Sequence, residues 1–114
     1  MTRDESLLQA AIEHGFDPQE EIKVGGKYTP ILLEGNIAYV AGQIPRVGNT
    51  VRFVGVAGDT VSLDEARRAA ATSAVRALLL VRNRFGTLDM ITSVPRIGVF
   101  MRSAARPISR GKAK

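Results

Sequence analysis

A single long helix, expected from Leu63 to Phe85, constrains this chain more than any other feature. Ser62 precedes it as an N-cap, and Glu65 completes a Ser-x-x-Glu capping box. Asp64 and Glu65 suit the positive end of the helix dipole, and Arg82 and Arg84 suit the negative end. Gly86 is placed to close the helix in the left-handed conformation. One face runs Leu63, Ala66, Ala70, Ala74, Ala77, Val81 and Phe85, and its middle is nearly all alanine. Small side chains permit close approach to a flat partner, so this face is expected to lie on a sheet. Leu78 to Val81 is apolar nearly all round, which predicts a second buried face against another helix or a subunit. Arg67, Arg68, Arg76, Arg82 and Arg84 occupy the other directions.

Around this helix the chain reads as hairpin, strand, helix, strand, an α+β pattern. Asp4 to His14 is a short amphipathic helix, with Leu7, Leu8, Ala11 and Ile12 at helical spacing and Gly15 as its stop. A helix this short is marginal alone and has to dock. Residues 17–27 read as a polar loop, with a brief strand at Ile22 to Val24. Tyr28 to Leu33 is a strand interrupted by Pro30; Glu34-Gly35-Asn36 supplies a turn; Ile37 to Ala41 is the return strand. Arg46 to Asn49 reads as a loop, and Val51, Phe53 and Val56 mark a third strand. Met90 to Met101 is a further strand region. There Pro95 lacks the amide of a central ladder position and argues for an edge or a bulge.

With 114 residues the chain is one domain, here 1–104, followed by a basic tail at 105–114. All 11 acidic residues precede Arg102, while Arg102, Arg106, Arg110, Lys112 and Lys114 account for the net charge of +5. The folded part is therefore balanced. The tail reads as a solvated, disordered terminus, or as a weak, salt-dependent contact for RNA phosphates. No aromatic lies among its charges to stack on a base, so nucleic acid is not the expected partner. The absence of cysteine excludes disulfides, thiolate metal sites and a cysteine nucleophile. One histidine, His14, excludes a multi-histidine metal site within one chain. No apolar run is long enough to span a membrane, and the first twenty residues carry Asp4, Glu5, Glu13, Asp17 and Glu20, unlike a leader peptide. The expected compartment is cytoplasmic.

Few residues carry a chemical signal. His14, at a helix C-terminus, is expected to gain from the dipole and to cap carbonyls. Gly25-Gly26-Lys27 lacks the spacing and the Ser/Thr of a phosphate loop. Asp64 and Glu65 are explained by capping, and Glu34 by its turn. Gly42-Gln43-Ile44-Pro45-Arg46 is more informative. A glycine at a strand end admits close approach by a ligand. Gln43 offers a donor and an acceptor, and Arg46 can hold a carboxylate through two parallel bonds. The same segment also fits a plain strand terminus with a surface loop. Tyr28 fits the rim of a cleft or an ordinary strand position.

Gly26-Lys27-Tyr28-Thr29-Pro30 and Gly35 to Arg46, with its Val-Ala-Gly-Gln-Ile-Pro-Arg, resemble the RidA (YjgF-type) family. Val61-Ser62-Leu63-Asp64-Glu65-Ala66, then Gly86-Thr87-Leu88-Asp89, continue the match. Val94, Arg96, Phe100 and Ser103-Ala104 agree with the strand that follows. The resemblance covers roughly residues 5–104. It implies a chorismate-mutase-like α+β fold and a homotrimer with clefts between subunits. It implies hydrolysis of reactive enamines and imines to ketoacids and ammonia, with neither metal nor covalent cofactor. Tyr28 and Gly42 would belong to the cleft, with Gln43 to Arg46 beside it, binding a small carboxylate-bearing imine, enamine or ketoacid.

The chain also departs from the family. Members usually continue past the position of Ala104 into a second long helix, two more strands, a carboxylate-binding arginine and often a water-orienting glutamate. Neither of those functional residues has a counterpart here. Ala41 stands where serine is common, and Arg76 where asparagine is common. The expectation is a C-terminally shortened RidA-like chain whose turnover is weak or absent. The alternative is a non-catalytic protein binding small metabolites or a partner.

Overall fold

The computed structural model of the chain describes residues 1–17 and 30–104. The strand expected at Ile22 to Val24, the Gly25-Gly26-Lys27 segment, Tyr28 and the basic tail at 105–114 lie outside them. The order is α1 (Arg3–Glu13), β1 (Ile31–Glu34), β2 (Ile37–Val40), β3 (Arg46–Val47), β4 (Thr50–Val51) and α2 (Leu63–Phe85). This is a small α+β arrangement of two helices and two antiparallel hairpins. No helix among the described residues is long and apolar enough to cross a membrane.

Both helices start with a complete capping box. In α2 the Ser62 hydroxyl accepts from Glu65 N–H at 3.1 Å, and the Glu65 carboxylate accepts from Ser62 N–H at 2.9 Å. In α1 Thr2 and Glu5 make the same exchange. These bonds satisfy amide groups that the helix cannot bond itself, and they hold both glutamates below the usual carboxylate range. Gly86 ends α2 at φ 87°, in the left-handed region as expected.

The two helices run antiparallel. At one end of α1, Asp4 lies against the last turn of α2 and the residues after it. Asp4 accepts from the Thr87 hydroxyl and from Leu88 N–H (2.9 Å), and Arg82 Nε lies 3.5 Å away. At the other end, His14 Nδ1 and Thr72 Oγ1 share a 2.8 Å hydrogen bond, and Arg68 donates to Glu13 O at 2.8 Å. Between these ends lies the core: Leu7, Ala11 and Phe16 with Val75, Leu79, Val81 and Leu88. Its formation accounts for the docking that so short a helix requires.

The alanine face of α2 is buried only in part, at Ala66 and Val81, and most of the buried side chains lie on another side of the helix. Thr72, Val75, Arg76, Leu79 and Leu80 are buried, whereas Leu63 is 64 % exposed and Ala74 lies open. The physical reason is the size of the partner. Burial gain scales with apolar area, and the Val75–Leu79 side offers more area to the Leu7–Ala11 face of α1 than alanine methyls do. The second buried face expected at Leu78 to Val81 is present: only Leu78 of the four is exposed.

The first hairpin pairs Ile31 with Val40 through Glu34 with Ile37, around Gly35-Asn36. Gly35 takes φ 59°, and its place at the first central position suits a type II′ turn. Only Ile31 and Val40 reach the core, while Leu32, Leu33, Ile37 and Tyr39 are exposed. The Arg46 to Asn49 loop is instead a second hairpin, in which Arg46 pairs with Val51 and Val47 with Thr50. Its turn uses Gly48 at φ 61°. The expected third strand stops there, because Phe53 has φ 57° and cannot continue an extended ladder.

No strand forms over Met90 to Met101 either. Pro95 has no amide to give, and pairing is limited to a single bridge between Ala57 and Ser103. Val94, Ile97, Val99 and Phe100 are all exposed.

The role expected of His14 changes as well. It does not cap α1 with its ring; Arg52 and Arg68 donate to the last carbonyls of α1 instead. Burial holds the imidazole below its ordinary value, and Arg68 adds to that effect. Asp4 is also lowered, mainly by the Thr87 and Leu88 hydrogen bonds. For both groups the unfolded chain binds protons more readily than the folded one, so stability falls as pH falls. The His14 contribution is complete above the ordinary imidazole value of 6.5 and is lost as pH drops through the lowered folded value. The Asp4 contribution is complete above 3.8 and is lost below that. In thermal melts from pH 8 to 3, a His14→Gln variant is expected to lose the slope near and below pH 6. An Asp4→Asn variant is expected to be destabilised at pH 7 and to converge on the parent in strong acid.

Candidate functional site

The segment from Gly42 to Arg46 links β2 to β3, and it is held from behind by α2. Arg76, 3 % exposed, projects from the buried side of the helix into this segment. Its Nε donates to Gln43 Oε1 at 2.8 Å, and Nη1 donates to Arg46 O at 3.0 Å. The Gln43 amide is engaged at both ends, because its Nε2 donates to Ala41 O at 2.9 Å. Arg46 N–H bonds back to Ile44 O at 2.7 Å, which tightens the turn at Pro45. Arg52 N–H, bonded to Pro45 O at 2.9 Å, closes the second hairpin over the same turn.

Three of the four expected site residues, Gly42, Gln43 and Arg46, therefore stand together; the fourth, Tyr28, lies outside the described residues. Gly42 is exposed, and a Cβ built on it would meet nothing within 4 Å. No described residue crowds it, so its lack of a side chain is not demanded by their packing. Gln43 is less free than its residue type suggested, since Arg76 takes one lone pair of its oxygen and Ala41 O takes one of its N–H groups. Arg46 is half-buried, and its Nε is enclosed with no hydrogen-bond partner among the described residues. A guanidinium nitrogen in that state costs free energy, about 1–3 kcal/mol for a buried unsatisfied group.

Arg76 is the residue the sequence pattern did not place. It reads as one of several arginines on the polar side of α2. The stripe Thr72, Val75, Arg76, Leu79 has the same helical spacing as the alanine face. The apolar area at Val75 and Leu79 is the signal that would have chosen it.

No family model matches the chain, and no curated protein matches it. Among solved structures it is similar to the protein Atu1372, of unknown function, from Agrobacterium tumefaciens. That similarity is 29% in sequence identity at a TM-score of 0.56, over 72% of this chain and 49% of that one. The chain thus spans about half the length of that protein. The likeness supports the α+β arrangement and carries no activity with it.

Two outcomes check the geometry. Gly42→Ala is expected to keep the fold and to raise stability by about 0.4–1 kcal/mol, because its backbone is not left-handed and no described residue lies within 4 Å of the added Cβ. Arg76→Met is expected to destabilise by about 1–3 kcal/mol, since it strips the donor from Gln43 and from the Arg46 carbonyl. Urea unfolding of both variants measures this, and a neutral Arg76→Met would contradict the packing described.

Proposed function

We propose that the chain binds small carboxylate-bearing metabolites at the Gly42–Arg46 segment, on a RidA-type scaffold with the chorismate-mutase-like arrangement. Ketoacids, the products of enamine and imine hydrolysis, are the class it takes. The observation that carries this reading is the Arg46 guanidinium, half-buried, with an Nε that has no partner among the described residues, in the same short segment as the exposed Gly42. An arginine fork is the side chain best matched to a carboxylate.

Binding is favoured over turnover by the kind of groups gathered there. Gln43, Arg46 and Arg76 donate hydrogen bonds, and none of them takes a proton from water near neutral pH. Attack of water on a C=N carbon needs the water oriented and its proton accepted. A purified sample is therefore expected to release ammonia from freshly generated 2-aminoacrylate at close to the buffer rate. A rate well above buffer would make the chain an enzyme of the RidA type. Calorimetric titration with pyruvate is expected to show binding that weakens roughly ten- to a hundredfold in Arg46→Ala, the range for a charged hydrogen bond. Equal affinity in parent and variant would remove Arg46 from the site.

Assembly into a homotrimer belongs to the same proposal. Leu32, Leu33, Ile37 and Tyr39 on the first hairpin are exposed, as are Val94, Ile97 and Phe100. Apolar surface of this kind more often lies at a subunit contact than in water. Light scattering behind a sizing column is expected to give about three times the 12.3 kDa chain mass, and a monomer at all concentrations would refute the assembly.

A further inference from the structure

The C-terminal end of α1 meets the second hairpin at a group of cationic side chains, and one of them, His14, gains or loses its charge at mild pH. The His14 ring is fixed by its 2.8 Å bond to the Thr72 hydroxyl, which is fully buried. A hydroxyl both donates and accepts, so it holds the ring in the neutral and in the protonated state. Among the described residues, the charges that act on the imidazole are Arg68 on α2, Arg52 just after β4 and Glu13 on α1 itself. Burial works against protonation, and so do Arg68 and Arg52, while Glu13 works for it. Arg68 is exposed and holds only the Glu13 carbonyl. Arg52 is half-buried and ties two elements together. Its Nη1 donates to His14 O at 3.3 Å, and its N–H donates to Pro45 O at 2.9 Å. The contact is close, since a Cβ on Gly15 would lie 3.4 Å from Arg52 Nη1 and 3.8 Å from Val47 Cγ1. Yet the 3.3 Å bond is long for N–H···O, so it is the weak tie. Directly after it stands Phe53 at φ 57°, a conformation that a bulky residue keeps only where its neighbours hold it. We propose that His14 is a proton-operated latch: adding one proton to its ring loosens Arg52 from the end of α1 and slackens the β3–β4 hairpin. The ring stays bonded to Thr72, so the new charge stays beside the guanidiniums, and Arg52 is what gives way. Pro45, whose carbonyl Arg52 N–H holds, carries the effect into the Gly42–Arg46 segment.

The latch concerns the protein alone and stands whether or not a carboxylate binds at Arg46. A nitrogen–proton NMR titration of the full chain from pH 7.5 to 5 tests it. The signals to follow are the His14 ring, the Arg52 and Phe53 amides, and the Leu79 amide in the core. The Arg52 and Phe53 amides are expected to shift with the same midpoint as the His14 ring. Below that midpoint the exchange protection of the Arg52 amide, corrected for the intrinsic effect of pH, is expected to fall roughly tenfold or more, as loss of one charged hydrogen bond allows. Protection at Leu79 is expected to stay unchanged. In His14→Gln the Arg52 and Phe53 amides are expected to hold one position throughout. In Arg52→Met the His14 midpoint is expected to rise toward the ordinary imidazole value, because a repelling charge is gone. Hairpin amides that ignore the His14 midpoint, or that still titrate in His14→Gln, overturn the inference. Loss of Leu79 protection in step with Arg52 also overturns it, since that is plain acid unfolding. If His14→Gln does not fold, Arg52→Met decides, and an unmoved His14 midpoint there overturns the latch.

Discussion

The antiparallel docking of α1 on α2 is the contact from which the rest of the structure follows. Eleven residues of helix cannot hold together in water, and a two-stranded hairpin is hardly better off. Each is stabilised by reaching the same apolar strip on α2. Leu7, Ala11 and Phe16 cover it from one side, and Ile31, Val40 and Val47 add to the cluster from the hairpins. The core is small, so its alignment matters. That alignment is set by polar bonds at the two ends, Asp4 to Thr87 and Leu88, and His14 to Thr72. Slipping α1 by one turn would break both at once.

Arginine supplies much of the remaining order, and it does so by bonding backbone carbonyls. Arg3 donates to Leu88 O and Ile91 O, Arg52 to His14 O, Arg68 to Glu13 O and Arg76 to Arg46 O. Each of these ties an irregular segment to an element distant in sequence. Such bonds satisfy carbonyls at helix ends and turns that have no ladder partner. The ion pair between Arg67 and Asp64 is by contrast exposed, and contributes little. The abundance of arginine in this fold is therefore a matter of backbone satisfaction as much as of surface charge. The candidate site is one instance: the side chain that staples the Arg46 carbonyl also orients the neighbouring amide.

Local chemistry was legible in the sequence; the choice between competing faces was not. Ser62, Glu65 and Gly86 define α2 because capping depends on a few adjacent atoms. Gly35 defines the first turn for the same reason. The second hairpin was missed because Arg46 to Asn49 has no alternation to show in two-residue strands. The face of α2 was legible only in part, at Ala66 and Val81, because alanine fits close packing and solvent about equally, whereas Val75 and Leu79 lose far more by exposure. Met90 to Met101 has strand composition, yet a strand needs a neighbour, and composition cannot say whether one is there. At the site, Gln43 and Arg46 were visible as chemically capable side chains. The burial of Arg76 was not, because it depends on which way α2 is turned.

The orientation of α2 is thus the claim on which the core, the hairpin contacts and the site all rest. The chain contains no cysteine, so single cysteines report their own positions without interference. Thiol labelling rates of Thr72→Cys and Ala74→Cys under native conditions measure the orientation directly. Thr72 is 0 % exposed and Ala74 lies open. The expected result is labelling of Ala74→Cys at close to the unfolded rate, with Thr72→Cys protected by orders of magnitude in a protein that still melts cooperatively. Fast labelling at position 72 with protection at 74 would mean that the alanine face is the buried one, and that α1 and Arg76 are not where this account places them.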